Sequence, residues 1–149
     1  MTTSTPRTLN VFFDVDFTLI DGDGRLRNHA HEVMEALYAD GHTIYVWSGN
    51  GIRQWEMEKH GLHHLVTGYY VKPLHSYRES LRAFYIRIVP DYVIDDHVGV
   101  VEAFGGYHIP PDMPEDDDHL LHVLDAVRAL AAQPNAAQPD AIEPVAPAD

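Results

Sequence analysis

The sequence predicts an α/β domain: three layers, with a central, mostly parallel five-stranded sheet between helices on both faces. Three observations predict it. Short β-branched and aromatic runs alternate with segments of helical periodicity, glycines stand where helical segments should stop, and the apolar runs end in polar residues. Such alternation argues for parallel strands, because a parallel neighbour needs a crossover connection and a helix usually supplies it. The 149 residues suffice for one domain with its own core.

The elements follow in order. Residues 1–8 are polar and read as a loose N-terminus. Leu9 to Phe13 is a short apolar run bounded by polar residues, a buried strand. His29 to Asp40 carries Ala30, Val33, Met34 and Leu37 at helical spacing, and Gly41 stops it. Thr43 to Trp47 is a second strand, and 51–60 a second helix stopped by Gly61. A third strand lies within Leu65 to Val71, a helix over Ser76 to Tyr85, and a fourth strand over Asp91 to Ile94. Gly106 to Ile109 is a candidate fifth strand. A last helix spans Glu115 to Ala132, with Leu120, Val123, Leu124, Val127 and Leu130 as its apolar stripe and Asp116 to Asp118 as an acidic first turn suited to the helix dipole. The domain so read covers residues 9–132. Residues 133–149 are Ala, Pro, Gln and acids, a composition that cannot bury a core, and read as a disordered tail.

Composition narrows the function classes. With no cysteine there are no disulfides, thiolate metal sites or thiol nucleophiles. No apolar run has the length of a membrane span and the N-terminus has no signal-peptide pattern, so the expected location is cytoplasmic, with no membrane partner. Of the net charge of −13, Asp112 and Glu115 to Asp118 carry five units and Asp140, Glu143 and Asp149 three, leaving about −5 for the rest of the chain. There is no basic stripe, which disfavours a nucleic-acid partner.

In an open parallel sheet, ligands bind beyond the carboxyl ends of the strands. Asp14, Asp16 and Thr18 follow the first strand; Ser48, Gly49, Asn50 and Gly51 the second; Lys72 the third; Asp95 and Asp96 the fourth. That set suits phosphoryl transfer, which needs positioning and charge neutralisation more than covalent help. Clustered carboxylates without soft ligands suit a hard cation such as Mg²⁺. Lys72 and the cation offset the charge of the phosphate, Ser48 can hydrogen-bond a phosphoryl oxygen, and the amides of the Gly49–Gly51 turn, at a helix start, offer an anion site. One carboxylate can act as nucleophile, and another two residues on can exchange protons.

These residues resemble the four motifs of the haloacid dehalogenase superfamily: Asp-x-Asp-x-Thr at Asp14, Asp16 and Thr18, a Ser after the next strand at Ser48, a Lys at Lys72, and an acidic pair at Asp95 and Asp96. The resemblance covers about residues 9–110, and four motifs in order are more specific than any one of them. It implies a Rossmann-like fold and a Mg²⁺-dependent phosphomonoesterase. Asp14 would be nucleophile and metal ligand, and Asp16 general acid/base with its backbone carbonyl on the metal. Lys72 would neutralise charge, Ser48, Gly49 and Asn50 would hold substrate, and Asp95 and Asp96 would hold Mg²⁺ directly or through water, Asp96 being the favoured direct ligand. An acid at Asp16 fits phosphatases and phosphotransferases, since dehalogenase members generally lack it and P-type ATPase members carry Thr. Between Thr18 and His29 there is room for a short hairpin, with Asp21-Gly22 and Asp23-Gly24 as turn signals, and the gap from Lys72 to Asp95 holds one helix and one strand. The chain thus resembles the capless (C0) phosphatases, with an open site.

An open site implies either a small phosphorylated substrate covered by a neighbouring subunit in a homo-oligomer, or a macromolecular substrate such as a phosphoprotein or a nucleic-acid 3′-phosphate. A non-catalytic binding protein on the same fold is a third reading, opposed by the complete motif set. His60, His63 and His64 read as surface histidines rather than a Zn²⁺ site, His97 as structural or substrate-facing, Asp21 and Asp23 as turn formers, and Trp47 and Trp55 as core and semi-core residues.

Overall fold

A computed structural model describes residues 5–134. In chain order the elements are β1 (Asn10–Phe13), α1 (Ala30–Ala39), β2 (Thr43–Ser48), α2 (Gln54–Lys59), β3 (Gly68–Val71), α3 (Tyr77–Ser80), β4 (Tyr92–Asp95), α4 (Val98–Phe104), β5 (Gly106–His108) and α5 (His119–Ala131). Short 3₁₀ turns occupy His63–Leu65 and Arg82–Phe84. The five strands form one sheet in the order β3-β2-β1-β4-β5, and every pairing is parallel. The fold is the expected α/β three-layer sandwich.

Side-chain alternation along the strands builds two cores, one per face. Val11 and Phe13 of β1, Ile44 and Val46 of β2 and Ile94 of β4 join Val33, Met34 and Leu37 of α1, Met57 of α2, and Val123 and Val127 of α5. The intervening residues Phe12, Tyr45, Trp47 and Val93 point the other way, against Val100 and Phe104 of α4 and against Leu81 and Ile86. Period-two alternation places successive strand residues on opposite faces, so a strand buried on both sides reads as an unbroken apolar run. On the second face the aromatic rings stack: Phe12 lies 4.8 Å from Tyr45 and 4.7 Å from Trp47, centroid to centroid.

The chain runs from β1 outward to β3, then crosses back to β4 and β5 on the other side of β1. The carboxyl end of β1 therefore stands at the point where the strand order reverses, where the helices diverge to opposite faces and leave a crevice. At the far edge, Gly106 is required by close approach: a Cβ there would lie 1.9 Å from the Val93 carbonyl oxygen.

Several local expectations need correction. The sequence reading assigns no element to residues 97–105, yet α4 lies there. Its Val-Gly-Val-Val run has poor helix propensity, and burial of Val100 and Phe104, one turn apart, outweighs it. The helix expected over Ser76 to Tyr85 is one turn of α3 and then a 3₁₀ turn, broken at Leu81. The second helix begins at Gln54, not Gly51, because Gly51 takes φ +113°, a backbone conformation that interrupts a right-handed helix. The Gly49–Gly51 amides are thus a turn preceding the helix and not its first residues. The last helix starts at His119, so Asp116 to Asp118 are not its first turn. Trp47 is fully buried, but Trp55 is 64% exposed and is no core residue. The N-terminal reading concerns residues partly outside those described; within them, the Arg7 amide donates to the Ala131 carbonyl. Of the tail reading, residues 135–149 lie outside the described residues.

Candidate active site

Four of the five strands deliver polar side chains to one edge of the sheet, where they line an open cleft of about 380 Å³. Asp14 directly follows β1, and its amide is anchored by the Ile94 carbonyl of β4 at 3.0 Å. Lys72 directly follows β3, its amide held by the Ser48 carbonyl at 2.9 Å. Asp95 is the last residue of β4 and Asp96 the next.

The Lys72 ammonium lies between two buried carboxylates, 3.0 Å from Asp14 Oδ1 and 2.8 Å from Asp95 Oδ2. Burial works against its charge, but the two carboxylates outweigh burial and hold its pKa above the ordinary lysine value. Thr18 donates its hydroxyl to Asp14 Oδ2 at 2.9 Å, so both Asp14 oxygens are oriented. Asp95 is fully buried, and its second oxygen accepts the His97 amide at 2.9 Å. Burial, and then the nearby Asp14 carboxylate, raise its pKa above the usual carboxylate value.

Asp96 is the exception to this pairing. Its Oδ1 is buried with no hydrogen-bond partner among the described residues. Burial and the adjacent Asp14 carboxylate push its pKa up to about 7. Asp14, Asp95 and Asp96 each offer an oxygen within 4.8 Å of the others. Three carboxylates against one ammonium leave a formal charge of −2. An unpartnered carboxylate oxygen in an all-oxygen cluster of that charge fits a hard divalent cation, and Mg²⁺ is of that kind. The Asp16 side chain is not part of this group.

Asp16 faces the opposite wall. Arg53 grips it with two bonds, Nη1 to Oδ2 at 2.6 Å and Nη2 to Oδ1 at 3.0 Å, and the Asn50 amide adds a third at 2.8 Å. The Arg53 guanidinium beside Asp16 holds that carboxyl below its ordinary pKa. Arg53 Nη1 also donates to Ser48 Oγ at 3.1 Å, and the Asn50 backbone N–H, distinct from the side-chain Nδ2 that bonds Asp16, donates to the same oxygen at 3.0 Å. With both lone pairs so occupied, the Ser48 hydroxyl can direct its proton at an acceptor in the cleft. Gly49 completes this side of the cleft lining.

The structure thus brings Asp14, Asp16, Ser48, Gly49, Asn50, Lys72 and Asp96 into one cleft, with Asp95 buried beneath it. Sequence reasoning missed Arg53. Its signal was faint: a lone cation five residues after Ser48, beyond a Gly-Asn-Gly turn that leads the chain back over the site. It also missed Arg27, which is buried and donates to the carbonyls of Phe17, Thr18 and Pro110 while pairing with Asp117 at 2.7 Å. Arg27 thereby holds the loop that carries Asp16. His97 lines the cleft. Asp21 does form the turn, its Oδ1 accepting the amides of Asp23 and Arg25 at 2.9 Å each. His60 and His63 bond to the Gly24 carbonyl and the Tyr69 hydroxyl, and no histidine joins a metal-ligating group among the described residues. None of the described helices is long and apolar enough to cross a membrane.

No model of a known protein family matches this chain, and no curated protein does. Among solved structures, the chain is similar to the core domain of a provisionally assigned phosphoglycolate phosphatase from Streptococcus pneumoniae TIGR4. The identity is 14%, the match covers 71% of this chain and 90% of that one, and the TM-score is 0.47.

Proposed function

We propose that the protein is a Mg²⁺-dependent phosphomonoesterase of haloacid dehalogenase type, working through an aspartyl phosphate on Asp14. The observation that carries this reading is the pairing of an oriented carboxylate, Asp14, with the unpartnered oxygen of Asp96 in a cluster of net charge −2. Structural carboxylates are ordinarily paired and need not converge on one cleft.

Asp14, Asp96 and the Asp16 carbonyl would hold Mg²⁺, with Asp95 fixing Lys72 and the chain at His97. The bound cation supplies charge neutralisation for the phosphoryl oxygens. Asp14 attacks phosphorus through one carboxylate oxygen as the bond to the leaving oxygen breaks. Asp16, released from Arg53 and protonated, gives that oxygen its proton. Water then attacks phosphorus and passes a proton to Asp16, and the Asp14 carboxylate is released with inorganic phosphate. The Asp16–Arg53 pair favours the ionised form needed to receive the proton from water. Lys72 and Ser48 hold the phosphoryl oxygens. Among the described residues the connections from Thr18 to α1 and from Lys72 to β4 are a hairpin and a pair of short helical turns, which agrees with a capless site. A small phosphorylated substrate, covered by a second subunit, is the partner this open cleft suits best.

The test is phosphate release from p-nitrophenyl phosphate with Mg²⁺, with a chelator, and with Asp14→Asn. Activity that requires both the metal and Asp14 is expected. Metal-independent turnover, or turnover retained in Asp14→Asn, contradicts the mechanism.

A further inference from the structure

Beside the catalytic cleft lies a second one of about 410 Å³, and the two share Asp16, Phe17 and Asn50. A leaving group that takes its proton from Asp16 can depart across this shared lip. Phe17 stands on it, immediately after Asp16, and is 45% exposed. Its backbone has φ +63°, a left-handed conformation that glycine adopts freely and a bulky side chain does not. The Phe17 amide donates to the Ile20 carbonyl at 2.7 Å and its carbonyl accepts from Arg27, so the loop holds the backbone there whatever the side chain.

A large apolar side chain in such a position normally recovers the strain by burial. Phe17 does not, since its ring belongs to neither core. The ring instead lies over Gly22 of the hairpin, 3.7 Å from where a Cβ would stand. Backbone strain of this kind clusters at active sites and ligand clamps, and Phe17 carries it at the lip of this one. Farther along the same cleft stands Trp55, also exposed, with the Lys59 ammonium 5.4 Å from its ring centroid. Two exposed aromatics, with the Lys59 ammonium over one of them, therefore line the cleft beside Asp16 and its partner Arg53.

We propose that this second cleft receives the leaving group and selects phosphomonoesters carrying a planar ring, Phe17 being the residue that stacks on it and Trp55 the outer wall. The chemistry recognised is a π-face close to a phosphate, which an aryl-type phosphate and a nucleoside monophosphate share. This specificity rests on the phosphatase reading given above.

The experiment compares kcat/KM for benzyl phosphate and adenosine 5′-monophosphate with that for glycerol phosphate and ribose 5-phosphate, all with alkoxide leaving groups. A preference of about tenfold for the ring-bearing pair is expected, the size of one stacking contact. Preference for both ring compounds shows that the ring suffices; preference for the nucleotide alone narrows the class to nucleotides. Phe17→Gly, which relieves the backbone, is expected to keep a cooperative melt and to lower the preference toward unity; Trp55→Ala lowers it less. No preference in the native protein, or the same preference in Phe17→Gly, overturns the proposal while leaving the phosphatase reading intact. If no phosphomonoester is turned over, the phosphatase reading fails separately. Calorimetric titration of the Mg²⁺-containing protein with adenosine monophosphate and ribose 5-phosphate then decides. Binding of the nucleotide about tenfold tighter, lost in Phe17→Gly, supports the groove; equal binding, or none, overturns it.

Discussion

At the scale of single residues, the molecule distinguishes groups that must be neutral from groups that must be charged. His42 is buried, and its Nδ1 accepts the Leu9 amide at 3.0 Å, a bond that only the form with that nitrogen unprotonated can make. Burial lowers its pKa; Asp40 works in the opposite direction and Arg128 adds to the lowering. Above the ordinary histidine pKa of about 6.5, the ring is neutral folded and unfolded, and its contribution to stability is complete. As the pH falls below that value, the unfolded chain takes up the proton first, so stability declines until the lower folded pKa is passed. Denaturation midpoints measured between pH 8 and pH 5 should show this slope, and His42→Asn, whose Oδ1 can replace Nδ1 as acceptor, should lack it. An unchanged slope in the variant would assign it to other groups. Nothing in the sequence separates His42 from the other ten histidines, because what distinguishes it is the Leu9 amide, 33 residues away in the chain, that folding brings onto its ring.

At the scale of elements, the hairpin after β1 and the segment before α5 are tied by one buried ion pair. Arg27 and Asp117, with side chains 0% and 1% exposed, meet at 2.7 Å across ninety residues of sequence. Asp117 Oδ1 also accepts the His119 amide, tying the start of α5 to the same pair. Removing one partner of a buried pair strands the other charge, so Asp117→Ala should cost about 3–5 kcal/mol in chemical denaturation. Arg27 bonds the Phe17 and Thr18 carbonyls, so the same variant should also slow any Asp14-dependent turnover at temperatures where it remains folded. A loss under about 1 kcal/mol would mean that water replaces the pair. Read from sequence, Asp117 is one of several acids near a helix start. Its partner becomes visible only when the hairpin folds back onto the β5–α5 connection.

At the scale of the whole molecule, the sheet gathers like charges at one edge and retains them at a cost to stability. Asp14, Asp95 and Asp96 repel one another across a largely buried site with a single ammonium between them. A divalent cation that binds only the folded chain should relieve this, adding about 2.7 kcal/mol at a concentration 100 times its dissociation constant. Thermal melts with and without Mg²⁺ should therefore differ by several degrees. Asp96→Asn should melt higher than the native protein in chelator and gain little from Mg²⁺. A variant that melts lower in chelator, or gains as much from Mg²⁺, would remove Asp96 from the metal site. The same edge shows how far sequence reaches: Asp14, Ser48, Lys72 and Asp95 were legible because each ends or directly follows a strand, and a parallel sheet brings all such ends to one side. Arg53 and Phe17 were not, because they lie beyond a turn and on a strained loop whose paths no local pattern encodes.

What the sequence determined by itself was the sheet, its direction, and the four strand ends that meet at its carboxyl edge. Those follow from short-range physics: alternation of side chains, helix stops, and crossover lengths. Only the tertiary structure decided which of the gathered groups are already satisfied. It paired Lys72 with Asp14 and Asp95, closed Arg53 on Asp16, buried Arg27 against Asp117, and left one oxygen of Asp96 without a partner among the described residues. The reason is geometric. Hydrogen bonding and desolvation act within a few ångströms, and residues that far apart in space stand up to ninety apart in the chain.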